Sequence, residues 1–140
     1  MSLNLKNYYQ YESQRLGVSD KVKIIDWVED VSKYYLLADY LICPSRIEPL
    51  GNIIIEAWSH KLPVVASNIM GPKRLIKHKV NGMKFEVENV GGLISCLNEI
   101  NSNKILKKKI VENAYNDYKK QFSKDVVIKK FKELFKRLKK

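Results

Sequence analysis

The spacing of apolar and polar positions changes several times along the chain, and each change marks an element. Residues 4–16, "NLKNYYQYESQRL", can place Leu5, Tyr8, Tyr9 and Leu16 on one helical face, with Gly17 as a C-terminal stop. "KVKIIDW" (21–27) is strand-like, "DVSKYYLLAD" (30–39) reads as a short helix, and "YLICPS" (40–45) as an apolar strand that Pro44 ends. The turn "EPLG" (48–51) then leads into a helix from about Gly51 to His60. "LPVVAS" (62–67) is a β-branched run of the kind buried on both faces of a parallel sheet. "GPKRLIKH" (71–78) reads as a loop entering a short helix, and "NG" (81 and 82) as a turn before the strand "MKFEV". Three helices follow, at 90–101, 104–121 and 124–139. In the last, Val127, Phe131, Leu134 and Leu138 recur at spacings of four, three and four, with lysines between them. Ser123 stands where an N-cap belongs.

Strands alternating with helices predict an α/β domain: a partial Rossmann-like unit with a mostly parallel sheet of about four strands, flanked by helices and closed by a helical C-terminus. A chain of 140 residues can bury one ordinary core, and it shows no internal repeat or long linker. We treat residues 1–103 as the α/β body and 104–140 as basic C-terminal helices of the same domain. An open α/β sheet ordinarily begins with a strand, whereas this chain begins with a helix, so the first part of the unit is expected to be missing.

Charge refines this picture. The formal net charge is +11, but residues 1–103 carry 12 basic against 11 acidic side chains and residues 104–140 carry 14 against 4. The excess therefore belongs to the C-terminal helices. A Lys-rich amphipathic helix there suits an anionic membrane surface or a solvated face. Nucleic-acid binding is not expected, because aromatics do not interleave with the basic residues. Apolar runs such as "YYLLADYLIC" are too short to span a bilayer, and the polar N-terminus carries no signal-peptide core, which points to the cytoplasm with peripheral contact at the inner membrane face. Cys43 and Cys96 are too few for a disulfide framework and read as buried thiols; Trp27 and Trp58 read as core. His60 and His78 lie 18 apart with no ligand cluster around them, so no metal site is expected.

The chemistry concentrates in "RIEPLGNIIIEAW" (46–58). In open α/β sheets ligands bind beyond the carboxyl ends of strands, where loops lead into helices, and residues 44–51 form such a loop. The amides of Leu50, Gly51 and Asn52 would lie at a helix N-terminus, which favours an anion such as a phosphate. Glu48 can accept hydrogen bonds from a polyhydroxyl ligand, or it can cap the helix. Glu56, between apolar neighbours, can take paired ribose hydroxyls, or it can be an ordinary helix residue. Arg46 can neutralise a carboxylate, meet phosphate or stay on the surface. Ser67 and Asn68 end a strand on the ligand side and can equally cap the next element.

The wording from "ADYLICPSRIEPLGN" through "EAWSHKLPVVAS", the "GP" at Gly71 and the "NG" before "MKF" resembles the C-terminal domain of GT-B-fold retaining nucleotide-sugar glycosyltransferases, group 1 or family 4, most of all bacterial members that build lipopolysaccharide or related envelope glycans. The likeness covers the chain from about residue 5 and includes the "QFS" that leads into the final helix. It implies a hexosyltransferase-type enzyme. Glu48 would meet the donor sugar, as the catalytic candidate, and Glu56 would bind the nucleotide ribose. Pro49, Leu50, Gly51 and Asn52 would hold the diphosphate or sugar. No cofactor and no protein-held metal are implied; donor cations and a helix N-terminus stabilise the leaving diphosphate. The expected partners are a UDP-, GDP- or ADP-sugar and a glycan or lipid-linked acceptor held by an N-terminal domain.

Three departures from the family pattern stand out. Lys61 replaces a glycine that would end the helix in a left-handed conformation, which a lysine adopts at a cost of about 1 kcal/mol. Lys73 and Arg74 follow "GP" where the family commonly has an acid; Arg74 can meet phosphate or remain solvated. The acceptor domain and the start of the donor domain are missing, so the chain alone is expected to bind donor weakly, to transfer no sugar and to expose a sheet edge open to self-association. The alternative is a non-catalytic α/β module acting through its basic helix, and a GT-B relative with epimerase or phosphorylase chemistry also fits much of the fold.

Overall fold

The computed structural model describes residues 5–138. The helix start anticipated at 4 and the helix end at 139 lie outside them. Two compact units emerge, divided between Val31 and Ser32.

The first unit holds helix α1 (Leu5–Arg15) and a single 3-10 turn, Ser19–Lys21. Gly17 ends α1 as anticipated: its φ of +67° lets the Gly17 amide reach Gln14 O and the Val18 amide reach Ser13 O. Lys6 pairs with Asp26 at 2.7 Å. The strand expected over 21–27 is not formed. Val22 is extended, but residues 22–29 join no sheet among the described residues, and an apolar run becomes a strand only when neighbouring strands take its amides and carbonyls. Trp27, read as core from the sequence, stands in this segment and is 87% exposed.

The second unit is the α/β body. Its elements run α2 (Ser32–Leu37), β1 (Leu41–Cys43), α3 (Asn52–Ser59), β2 (Val64–Ser67), α4 (Met70–Leu75), β3 (Met83–Phe85), α5 (Val90–Ser102), α6 (Lys104–Gln121) and α7 (Lys124–Leu138). The sheet has three parallel strands in the order β1-β2-β3, with Leu41 opposite Val64 and Val65 opposite Met83. This is one fewer strand than the sequence pattern suggested, the difference being the segment 21–27. Every residue of β2 is buried, as its β-branched run required. Alternation along β2 divides the core into two. Val64 and Ala66 join Ile54, Ala57 and Trp58 of α3 together with Ala114 of α6. Val65 faces the other way, with Met83, Phe85, Cys96, Ile100 and Ile110. Helix α6 serves both cores: Leu106 and Ile110 meet the second, Ala114 and Tyr118 the first, joined there by Phe122 just past its end. Cys43 and Cys96 are buried free thiols, and burial pushes the Cys96 thiol up, which disfavours its thiolate.

Local chemistry explains where the helices start and stop. Asn89 and Asn103 cap α5 and α6 by accepting from the amides of Gly92 (2.8 Å) and Leu106 (2.9 Å). Ser123 makes no side-chain cap to α7. Its hydroxyl turns back to Lys119 O at 3.0 Å, because the preceding helix offers a free carbonyl within reach. Helix α4 begins at Met70, so Gly71 and Pro72 lie inside its first turn instead of forming a loop; a proline is tolerated there because that turn has no intrahelical acceptor for its amide.

The end of α3 bears out the expectation for Lys61. Its φ is +57°, the Lys61 amide donates to Trp58 O and the Leu62 amide to Ala57 O, which is the paired closure that usually takes glycine. Lys61 Nζ lies 4.9 Å from the centroid of the Tyr115 ring, which offsets part of the backbone cost. Lys61→Gly should therefore stabilise the protein by about 0.5 kcal/mol, the difference between about 1 kcal/mol of relieved backbone and about 0.5 kcal/mol of lost ring contact. In a Tyr115→Leu background the gain should double. Urea midpoints of the four proteins check this; a loss of stability in both backgrounds contradicts it.

Candidate functional site

The site loop follows β1 and enters α3. At its exit Gly51 has φ +80° and is buried, with Leu75 Cδ1 only 2.8 Å from where a Cβ would stand. A side chain there would meet both a left-handed backbone and a filled space, so "EPLG" requires its glycine. The helix-closing reading of Glu48 is the one the structure shows: one carboxylate oxygen of this half-buried side chain accepts from the Gly51 amide at 2.9 Å at the start of α3. The amides of Leu50 and Asn52 donate to no acceptor among the described residues, and both residues are exposed.

A second chain segment holds this loop. The Gly71 amide donates to Glu48 O at 2.8 Å. A Cβ on Gly71 would collide with that carbonyl oxygen and would stand 3.0 Å from the Gly51 nitrogen. The "GP" at the start of α4 is therefore a clasp on the "EPLG" turn, made possible by the missing side chain. Ser67, at the end of β2, adds a tie by donating to Ser45 O at 2.6 Å. It does not cap α4, whose N-cap residue is Ile69 and which has no side-chain cap. Asn68 donates to Glu86 at 3.0 Å.

Glu56 lies in the second turn of α3 and is exposed, so its apolar neighbours in sequence point elsewhere: Ile54, Ala57 and Trp58 are buried. Its partner is the Tyr35 hydroxyl on α2, which donates to Glu56 Oε2 at 2.9 Å. The Tyr35 phenol is pushed up to about 12, first by partial burial and then by the Glu56 carboxylate that accepts its hydrogen bond. His60, one turn beyond Glu56, stacks its ring on Tyr35 with centroids 5.2 Å apart and planes at 29°. Its Nδ1 lies 2.9 Å from Glu56 O and 3.0 Å from Ser59 Oγ. Sequence reasoning missed Tyr35, which stands in the middle of α2, 21 residues from Glu56, and no spacing signal marked it.

The remaining candidates divide. Arg46 is exposed and pairs with Glu88 at 2.8 Å, a surface bond that contributes little to stability. Arg74 is exposed in the last turn of α4. His78 sits away from this loop with its Nδ1 accepting from the Lys84 amide at 2.9 Å, and burial followed by Lys79 holds its imidazole below the usual range. Among the described residues no group of three or more His, Cys, Asp or Glu is placed to hold a metal.

Parallel strands lead at their carboxyl end into a glycine-turned helix start, with one carboxylate, Glu48, in the loop before α3 and a second, Glu56, in its second turn. The comparisons identify the family. The family model "Glycosyl transferases group 1" matches residues 3–117, and the chain belongs to that family. Its fold is that of a GT-B glycosyltransferase C-terminal domain, as the resemblance implied. The chain is 27% identical over 119 residues to the lipopolysaccharide core biosynthesis glycosyltransferase LpsE of Rhizobium meliloti, covering 85% of this chain and 35% of that protein. A glycosyltransferase of Rickettsia africae superposes with a TM-score of 0.88 at 28% identity, over 98% of this chain and 37% of that one. The Anabaena protein HepE, solved in complex with UDP, superposes at 0.86 with 25% identity, over 95% of this chain and 36% of that one. The chain spans about a third of the length of the curated relatives it matches.

Proposed function

We propose that this chain is the donor-binding portion of a retaining glycosyltransferase that passes a sugar from a nucleotide to a cell-envelope glycan or lipid-linked acceptor. One observation carries the reading. Glu48 and Glu56 stand on either side of a helix start whose Leu50 and Asn52 amides are unoccupied, and the turn between them is locked by Gly51 and Gly71. Two neighbours support the ligand class: HepE has been solved with UDP-glucose, and a relative from Escherichia coli is a UDP-Gal-dependent galactosyltransferase acting on a diphosphoundecaprenol-linked sugar.

In this reading the exposed amides and the positive end of α3 take the donor diphosphate, and they stabilise the negative charge that grows on it as the glycosidic bond to the nucleotide breaks. Gly51 contributes by shape, since its amide is already bound to Glu48. Pro49 fixes the turn. Glu48, held by that amide, offers its second oxygen to hydroxyls of the sugar. Glu56 takes the ribose. Sugar transfer also needs an acceptor site, which this reading does not assign to the residues around α3.

Ligand-observed NMR with UDP, GDP, ADP and their sugar conjugates tests this. One nucleotide should show saturation transfer to its ribose protons, and Glu56→Ala should abolish that transfer. Equal transfer in the mutant contradicts the assignment of Glu56.

A second reading concerns α7. Among its residues none is buried, its apolar side chains Ile128, Phe131, Leu134, Phe135 and Leu138 are exposed, and six basic residues flank them against two acids. Such a helix lies on an anionic bilayer with its apolar face in the headgroup boundary, a placement suited to an enzyme with a lipid-linked acceptor. The protein should co-sediment with vesicles containing phosphatidylglycerol, less so at 0.5 M salt and less again after Phe131→Asp; equal recovery with neutral vesicles contradicts the reading. Among the described residues the outer edge of β1 pairs with no strand, which leaves it open to a strand of a second copy.

A further inference from the structure

The Tyr35, Glu56 and His60 side chains form a cluster that the donor-site reading leaves unexplained. An exposed glutamate in the second turn of a helix ordinarily samples several rotamers, and a carboxylate that must meet a vicinal diol loses affinity for each one it has to give up. Here one oxygen is fixed. The Tyr35 ring packs against the core that contains Ile54 and Trp58, which anchors the phenol from below. His60 stacks on the ring with centroids 5.2 Å apart, and its Nδ1 is itself within hydrogen-bond reach of Glu56 O. The hydroxyl at the end of this stack holds Glu56 Oε2 at 2.9 Å. Glu56 Oε1 accepts no hydrogen bond among the described residues.

We propose that Tyr35 is a positioning residue for nucleotide selection: its hydroxyl fixes Glu56 so that Oε1 is presented to the ribose, and this sets the preference for a ribonucleotide over a deoxyribonucleotide. The proposal rests on Glu56 being the ribose ligand. Physically, a carboxylate held in one rotamer gains the full difference between accepting a sugar hydroxyl and facing a hydrogen, whereas a mobile carboxylate turns to water when the hydroxyl is absent and discriminates less. Tyr35→Phe removes the hydroxyl alone; the ring keeps its place against the core and against His60.

Two measurements test it. The first needs no ligand. Spectrophotometric titration of the phenols should show one tyrosine titrating at about 12, absent in Tyr35→Phe and moved downward in Glu56→Ala. Because this folded-state value lies above the ordinary 10, the cluster's contribution to stability is present below pH 10 and is lost as pH rises towards 12. If no tyrosine titrates high, or if Glu56→Ala leaves it unmoved, the Tyr35–Glu56 bond is not the one that holds the carboxylate and the proposal falls.

The second compares dissociation constants of UDP, GDP and ADP with those of their 2′-deoxy and 3′-deoxy forms. For the nucleotide that binds, the wild type should prefer the ribose form by about tenfold, the effect of one hydrogen bond to a charged group. Tyr35→Phe should reduce the preference to about two- to threefold, and Glu56→Ala should abolish it. If Glu56→Ala abolishes the preference while Tyr35→Phe retains it, the positioning role fails and the ribose reading survives. If neither variant changes it, or if no nucleotide binds the wild type, the ribose reading fails and the proposal fails with it.

Discussion

The hydrogen bond from the Gly71 amide to Glu48 O, 2.8 Å long, is the contact on which the site depends. It joins the loop after β1 to the start of α4 after β2, two segments 23 positions apart that the parallel pairing of those strands brings side by side. It forms because Gly71 has no side chain, and it leaves the Gly51 amide to close on the Glu48 carboxylate. Backbone and carboxylate of one residue thus hold the turn from opposite sides. Any ligand that this loop takes up gains from such fixing, since the ordering is complete before it arrives.

Behind the loop the fold supplies rigidity by simple means. β2 is buried on both faces, with its alternate residues feeding two cores, and α6 crosses from one core to the other. Buried Asn81 adds a polar tie: it accepts from the Lys77 amide at 2.7 Å and donates to Leu75 O at 3.2 Å and to Asp117 of α6 at 2.8 Å. The hinge between α4 and β3 is thereby bonded to a helix that touches both cores. In the α/β body α7 contributes no buried residue, and its side chains Ile128, Phe131, Leu134, Phe135 and Leu138 are exposed.

Much of this was legible in the sequence because it depends on short-range rules. The β-branched run gave β2, the glycine after Leu50 gave the start of α3, and the missing glycine at Lys61 correctly foretold a strained helix end. The four-three-four spacing gave α7 to within the described residues. Errors arose where a local pattern needed a distant partner. Residues 21–27 have strand-like composition but no neighbour in a sheet among the described residues, and Trp27 is exposed with them. "GP" reads as a break, yet the first turn of a helix accepts it. The Asn89 and Asn103 caps could have been read from residue type and position, whereas the hydroxyl of Ser123 had two acceptable partners and took the other one. Tyr35 was out of reach, because nothing in the spacing of α2 says which residue of α3 will lie opposite it.

In the proposed function a nucleotide diphosphate sits at the start of α3. Backbone amide spectra of the nitrogen-15-labelled protein, recorded during titration with UDP, GDP and ADP, test it most directly. One of the three should shift Leu50, Gly51 and Asn52 most, with smaller changes at Gly71, and Gly71→Ala should suppress all of them by displacing the turn. Shifts confined to the basic helices 104–138, or unchanged shifts at Leu50 and Asn52 in Gly71→Ala, would contradict the account.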